Sequence, residues 1–513
     1  MSTRFGFFLL LLATTLVLGG CAGPGSETGD AGGGGMPELD NAVLMPVEGD
    51  ATISFVVYFK VGSQNDPVGM EGLAALTGSL LSGGATSENS YAEILDQLYP
   101  IASGYGVSVD KEMTTLSGRT HRDNLEKFFE LFTDAYLKPA FDPADFERLK
   151  AVQKSEIETS LRFANDEELG KAALTSFVFE GTSYRHPISG TVSGLDQIGL
   201  DDVKTFYATH YNRENVVIGL GGGFDAALAE RFHATLQSLP EGEATPAVTI
   251  DTPAIEGRTV LLVDKPGADA SVSFGFPLGV SRGERDFYAL WIANSWLGEH
   301  RNSAAHLFQV IREIRGLNYG DYSYLEAFPG GGFRQMPPTH VARRHQLFEG
   351  WIRTLPNEQA IFALRAAIRE IDALVEGGMS QEEFDLTRSF LETYHLHFAP
   401  TTRARLGYRI DDAFYGVPDP GHIARFGEML RSITREEVNA ALQKHLQTGN
   451  LKIAIVTGDA AGLRAALESG APTPITYASP KSDEVLAEDK LIEAYPLDIK
   501  DVAAVSVQDI FGQ

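Results

Sequence analysis

What this 513-residue chain has least of is cysteine: there is one, Cys21. No intrachain disulfide framework and no Cys-built zinc or iron–sulfur site can be made from it. Basic residues are short as well, with Lys+Arg at 42 against Asp+Glu at 69 and a formal net charge of −27. A nucleic-acid groove would have to form against that field, so nucleic acid is not an expected partner. Beyond the N-terminal leader no apolar run is long enough to read as a membrane span. At 43% hydrophobic and 22% charged residues, disorder is excluded as the main state. The length suits two large domains or about three ordinary ones.

The position of the cysteine is informative. Met1 to Arg4 carries one positive charge, Phe5 to Leu18 is apolar, and Gly19-Gly20-Cys21 follows. That is the order of a secretory signal, too short for a spanning helix. Leu18-Gly19-Gly20-Cys21 resembles the bacterial lipobox, which is cut before the cysteine and lipidated on its sulfur. Residues 1–20 therefore read as a lipoprotein signal peptide and the Gly-rich stretch 21–41 as a flexible tether. The expected location is the bacterial cell envelope, lipid-anchored at the outer membrane and facing the periplasm. Ala22 after the cysteine is at least no acidic retention signal.

The strongest structural signal is an internal repeat. LDQIGLDDVKTFYATHYNRENVVIGLGGG (195–223) and LRSITREEVNAALQKHLQTGNLKIAIVTG (430–458) match at one offset of 235. It pairs Leu195 with Leu430, Ile198 with Ile433, Val203 with Val438, His210 with His445, Asn215 with Asn450 and Gly223 with Gly458. Both copies read as an apolar staple, an acidic first turn, a helix, then a β-rich run ending in Gly. Two homologous halves are expected, 42–245 and 256–470, joined by the Pro/Glu/Gly-rich stretch 240–257, with 471–513 as an extended tail. Within each half strands precede helices: 52–63 and 105–120 before 126–137 and 144–163, and 259–279 before 285–298. The fold class is α+β, each half an antiparallel sheet packed with helices. The Gly219–Gly223 run is expected to serve strand-end turn chemistry.

Three segments resemble the insulinase/pitrilysin family of zinc peptidases over about residues 45–470. VGSQNDPVGMEGLAALTGSLLSGGAT (61–86) is similar to the strand–loop–helix that holds His-x-x-Glu-His in that family. SYRHPISGTVSGLDQI (183–198) is similar to its His-Pro…Gly segment. HLFQVIREIRGLNYGDYSY (306–324) is similar to its Arg…Gly-Leu-x-Tyr motif. The resemblance implies that each chain makes half of a clamshell. It also exposes a departure. Where the family has His, Glu and His, this chain has Ala75, Gly78 and Ser79. Positions i, i+3 and i+4 share a helix face, which is how two imidazoles grip one zinc beside a carboxylate. These three supply neither ligand nor base. Glu156, where the resemblance places a third ligand, is then a lone carboxylate, and a catalytic zinc needs three protein ligands. No metal or other cofactor is expected on this chain. Glu299, His300 and His306 have metal-binding residue types near a loop-to-helix junction, but ordinary structural roles are the expected ones. His395 and His397, two apart on a helical pattern, point apart.

The third motif is intact. Arg312 and Tyr319 are seven apart, two helical turns if helix continues that far. The resemblance implies that such a pair reaches across the clamshell to hydrogen-bond substrate backbone and the oxyanion, and that zinc sits on a partner. A guanidinium and a phenol suit that role as donors aimed at developing negative charge. The implied function is a non-catalytic, substrate-binding subunit, inactive alone, of an extracytoplasmic zinc peptidase acting on peptides or unfolded polypeptides. Its partner would be a His-x-x-Glu-His subunit of the same family, in a heterodimer. The alternative is a catalytically dead binding scaffold or assembly factor at the membrane.

The lipobox yields a direct test. The Cys21→Ala variant should incorporate no labelled palmitate and leave the membrane fraction. A wild-type protein that fractionates as a soluble species with a free thiol contradicts the assignment.

Overall fold

The computed structural model describes residues 36–512; the signal peptide, Cys21 and most of the tether lie outside the described residues. From Pro37 onward the chain forms one compact unit. Its strands are β1 (Ala42–Pro46), β2 (Thr52–Phe59), β3 (Gly104–Val109), β4 (Thr114–His121), β5 (Val216–Gly222), β6 (Arg258–Asp264), β7 (Ala270–Leu278), β8 (Asp321–Tyr324), β9 (Gln346–Leu355), β10 (Leu451–Thr457) and β11 (Ile499–Ser506). They form a five-stranded sheet, β1-β5-β2-β4-β3, and a six-stranded sheet, β11-β6-β10-β7-β9-β8. Both sheets are antiparallel apart from one edge each: β1 runs parallel to β5, while β6 runs parallel to β10 and β11. Among the described residues no helix is long and apolar enough to cross a membrane.

The repeat is realised to the residue. The helix Leu200–His210 and β5 in the first half correspond at the offset of 235 to the helix Arg435–His445 and β10 in the second. The paired asparagines do the same work. Asn215 Oδ1 accepts from the Thr245 amide at 2.9 Å, and Asn450 Oδ1 from the Gly257 amide at 2.8 Å. Each ties the segment that joins the halves to the start of its own strand.

A further pair of corresponding helices is exchanged between the halves. Asp166–Val178, from the first half, packs on β7 and β10 of the second sheet. Thr402–Tyr415, from the second half, packs on β1, β2 and β5 of the first. Central strands are therefore covered on both faces, which is why β2 and β5 are buried almost throughout. One face of β2 meets the aromatic core around Phe55, Phe128, Phe132 and Phe232. Its other face, Val56 and Tyr58, meets Leu406, Ile410 and Phe414 of the lent helix. The glycine run is explained here rather than by turn chemistry alone. A Cβ on Gly219 would lie 3.0 Å from Ile410 Cδ1, and one on Gly221 3.3 Å from Thr402 Cγ2. The two glycines let the helix lie close, and only Gly222, at φ +116°, serves the strand end.

The 471–513 segment is not an extended tail. It forms the helix Asp483–Glu493 and then β11, the edge strand beside β6. Its prolines confine themselves to the connections, and its short apolar runs supply one buried side each to helix and strand. Beyond β11 the chain crosses to the first half, where Val507, Ile510 and Phe511 join the core. Arg162 holds the crossing by donating to the Ile510 carbonyl from Nε at 2.9 Å and Nη2 at 2.6 Å. Phe511→Ala should therefore lower global stability by about 3 kcal/mol in urea denaturation. An unchanged midpoint would mean that the C-terminus does not close this core.

Candidate functional site

The helix Leu73–Gly83 carries the three positions that matter first. Its N-terminus is fixed by Asp66, whose carboxylate accepts from the Gly72 and Ala74 amides at 2.7 Å each. Complete burial nevertheless pushes Asp66 up to about 7. Gly72, at φ +109°, lies under the His-Pro segment: a Cβ there would be 2.7 Å from the Ser189 carbonyl. The two motif segments, 120 residues apart in sequence, are thus packed on one another. His186 lies 3.8 Å from Asp66 through Nε2, and burial with Lys111 nearby pushes it down to about 3, so its ring is neutral.

Ala75 and Ser79 line one cavity of 560 Å³ at the seam between the halves, together with Gln153 and Glu156 from the neighbouring helix and Glu349 from β9. The structure thus brings together Ala75, Ser79 and Glu156, three of the four positions picked out by sequence. Gly78 is different. A Cβ there would meet Val109 Cγ2 at 2.6 Å and Val107 Cγ1 at 3.0 Å. The hairpin strand β3 occupies the space that a longer side chain at 78 would need. Glu156 begins a π-helical segment, Glu156–Ala164, and stands exposed at the cavity mouth. Desolvation by the walls raises its carboxyl above the usual range, and it has no hydrogen-bond or ion-pair partner among the described residues.

This donor set does not fit a zinc ion. A methyl, a hydrogen and a hydroxymethyl stand where two imidazoles and a base would be needed, leaving one carboxylate. Among the described residues no group of three His, Cys, Asp or Glu side chains is arranged to hold a metal. The Glu299, His300 and His306 trio is dispersed in separate roles. His300 Nε2 donates to the Gly332 carbonyl at 3.1 Å and Nδ1 accepts from Tyr324 at 2.6 Å. Glu299 accepts from Ser295 and Asn302, while His306 bonds Glu370 at 2.7 Å and stacks on Trp296.

Arg312 and Tyr319 lie apart from the cavity lining. Arg312 sits in a second π-helical segment, Phe308–Glu313, and Tyr319 in the loop beyond it. They do not share a helix face, because Gly316 at φ +72° ends the helical run between them. Tyr319 is 78% exposed, unusual for a tyrosine, and among the described residues Arg312 pairs only with its neighbour Glu313 while lying over Phe308. Arg315, three residues beyond Arg312, is fully buried: it donates to Asp489 at 2.9 Å, Glu488 at 2.8 Å and the Val310 carbonyl at 2.8 Å. Those carboxylates belong to the helix Asp483–Glu493, so the C-terminal segment also braces the loop that carries Tyr319.

Sequence reasoning missed the charged seam that frames the cavity. The turn between β3 and β4 presents Asp110 to Arg343 in two bonds of 2.5 and 2.9 Å, and Glu112 to Arg344 at 2.5 Å. The acidic residues Asp166, Glu167 and Glu168 open the exchanged helix, where the dipole favours them, and bind Lys265, Arg353 and Lys171. The run Asp110-Lys111-Glu112 and the pair Arg343-Arg344 were visible as charges, but nothing local marks them as partners across 230 residues.

Residues 43–192 match the family described as Insulinase (Peptidase family M16), and residues 197–391 the one described as Peptidase M16 inactive domain. A Helicobacter pylori protein named a non-peptidase homolog is 23% identical over 373 residues, 69% of this chain and 80% of that one. A Bacillus subtilis protein named an uncharacterized zinc protease is 24% identical over 299 residues, 57% of this chain and 70% of that one. Among solved structures, a peptidase M16 inactive domain from Pseudomonas fluorescens shares the fold at TM-score 0.71 and 22% identity, covering 82% of this chain and 97% of that one. A protease from Helicobacter pylori does so at TM-score 0.69 and 17% identity, covering 82% and 98%. Positions 75, 78 and 79 fall within the stretch 43–192, where Ala, Gly and Ser supply neither a zinc ligand nor a base, and the inactive-type match over 197–391 is consistent with a non-catalytic peptidase homologue.

Packing makes the loss testable. Gly78→Ala should cost about 1–3 kcal/mol of stability, and much of it should return when Val109→Ala is added. The triple variant Ala75→His, Gly78→Glu, Ser79→His should still hold well under one zinc per chain after dialysis. A tightly bound equivalent in that variant would show that β3 does not close the site.

Proposed function

The chain belongs to the insulinase family, peptidase family M16, and on that premise we propose that it is the non-catalytic, substrate-binding subunit of a zinc peptidase. In this reading a second chain of the same family carries His-x-x-Glu-His and the zinc, and this chain contributes Arg312 and Tyr319 in trans. The substrates are peptides or unfolded polypeptides in the bacterial envelope, where Cys21 anchors the chain by lipid, at the outer membrane and facing the periplasm. The observation that carries the reading is the contrast between the two motifs. The zinc positions are substituted and overpacked at Gly78, whereas Tyr319 is kept and presented to solvent on a loop braced by the buried Arg315. A phenol and a guanidinium so presented are hydrogen-bond donors for a peptide carbonyl as negative charge develops on it.

The test is co-purification with a chain bearing His-x-x-Glu-His, followed by peptide turnover of the complex. Tyr319→Phe, which removes one hydroxyl and little packing surface, should lower turnover by about 10²–10³ without dissociating the complex. Arg312→Ala should do the same, and Arg312→Lys should recover little, because an ammonium lacks the planar fork. If no zinc-bearing chain co-purifies, the binding-scaffold reading replaces this one.

A further inference from the structure

We propose that the seam cavity is itself a binding site, and that its ligand is a protonated amine or guanidinium carried on a peptide. The cavity exists because Ala75 and Ser79 are small, and its 560 Å³ lies within the range of ordinary ligand pockets. Its hydrogen-bonding groups are unbalanced in one direction. Gln153 is 6% exposed, and its Nε2 donates to the Gly72 and Ser189 carbonyls at 2.9 Å each. Both partners are acceptors, so the nitrogen is fixed there and Oε1 is left as an acceptor without a donor. Glu349 is 8% exposed, and its Oε1 also has no partner. Glu156 adds a third uncommitted acceptor at the mouth. A buried acceptor left unmet costs free energy that a donor-bearing ligand recovers.

The cations lining the same cavity are already engaged. Lys171 donates to Glu168 Oε1 and to the Phe328 carbonyl at 2.8 Å each, and its ammonium lies 3.1 Å over the Trp351 ring. Arg343 spends its fork on Asp110. Lys111 donates to the His186 carbonyl, and burial beside Arg343 lowers its amine to about 7, so its charge is weakly held. His345 is pushed down by burial, which favours its neutral ring. Arg185 stands at the exposed rim. An entering cation therefore meets three waiting acceptors, whereas an entering anion meets cations that are bonded elsewhere or stand at the edge. Burial also pushes Glu349 up to about 7 despite the opposing pull of Lys171, and a bound cation would help to hold it ionised. Apolar walls from Leu149, Phe179 and Leu347 suit the stem of a long basic side chain.

The inference rests on the subunit reading only in taking the ligand to be a peptide. Binding is measured without a partner, so its failure and a failure of turnover in the complex are separate results. The full-length protein is titrated calorimetrically with a capped alanine peptide bearing one central Lys. The same capped peptide with norleucine, and with Glu, should bind about tenfold more weakly or worse. The norleucine peptide with a free amino terminus tells whether an α-amine also enters; tight binding there supports the site with that source. Glu349→Gln should cost about tenfold in affinity for the Lys peptide. Ala75→Leu, which fills the cavity and removes no polar group, should cost at least as much. Circular dichroism identifies the folded variants. The proposal is overturned if capped norleucine or Glu peptides bind as well as Lys, if no amine-bearing peptide binds, or if a folded variant keeps wild-type affinity.

Discussion

The structure depends on an exchange: each half covers the outer face of its sibling's sheet with the same helix of the repeat. A sheet covered on one face only would leave Val56, Tyr58 and Val217, or the corresponding face of β10, open to water. With Thr402–Tyr415 and Asp166–Val178 traded, neither sheet has an exposed apolar face to protect, and neither half is complete without the other. The charged seam follows from this. The exchanged helix Asp166–Val178 sets its acidic N-terminus against the opposite sheet, and the loop before β9 sets Arg343 and Arg344 against the β3–β4 turn. Buried pairs of this kind add less to stability than their number suggests, because both ions are desolvated. Their contribution is to fix how the halves are set, since a shifted seam would leave several of them unpaired. The cavity is the space left inside that fixed frame.

Much of this was legible in the sequence, and the limits have physical causes. The repeat was readable because helix period, acidic first turn and β-run are local patterns, and the offset of 235 transfers directly to the observed elements. The lack of zinc ligands at Ala75, Gly78 and Ser79 was readable because ligand chemistry depends on residue type and spacing. What did not transfer was anything decided by distant packing. Gly219 and Gly221 look like turn residues until a helix from 180 residues away is seen lying on them. Arg315 looks solvated beside Arg312, yet it is the buried one, because its carboxylate partners come from a segment that reads as a tail. Tyr319 would share a face with Arg312 only if helix continued between them, and Gly316 stops it.

Glu156 and Arg312, both singled out by the resemblance, lie in π-helical segments, one in each half. A π-turn widens the helix by one residue and changes the direction of the side chains on it, and such segments recur at functional sites. Their settings differ. Around Glu156 the facing positions Ala75 and Ser79 are small and β3 fills the space beside Gly78, so the widened turn serves the mouth of a pocket. Around Arg312 the turn still feeds an exposed, braced loop.

The route of the last residues has a consequence for how the molecule comes into being. Val507, Ile510 and Phe511 complete the core of the half that is made first. Synthesis runs from the opposite end, so that half emerges with its own sheet but lacks both its outer helix and its closing side chains. It waits for the whole remaining chain before its apolar surface is covered. Contacts between sequence-distant segments form slowly, and partly covered sheets attract other chains in the interval. A nascent chain of this design has an extended period of vulnerability, which ends only once Val507, Ile510 and Phe511 are in place.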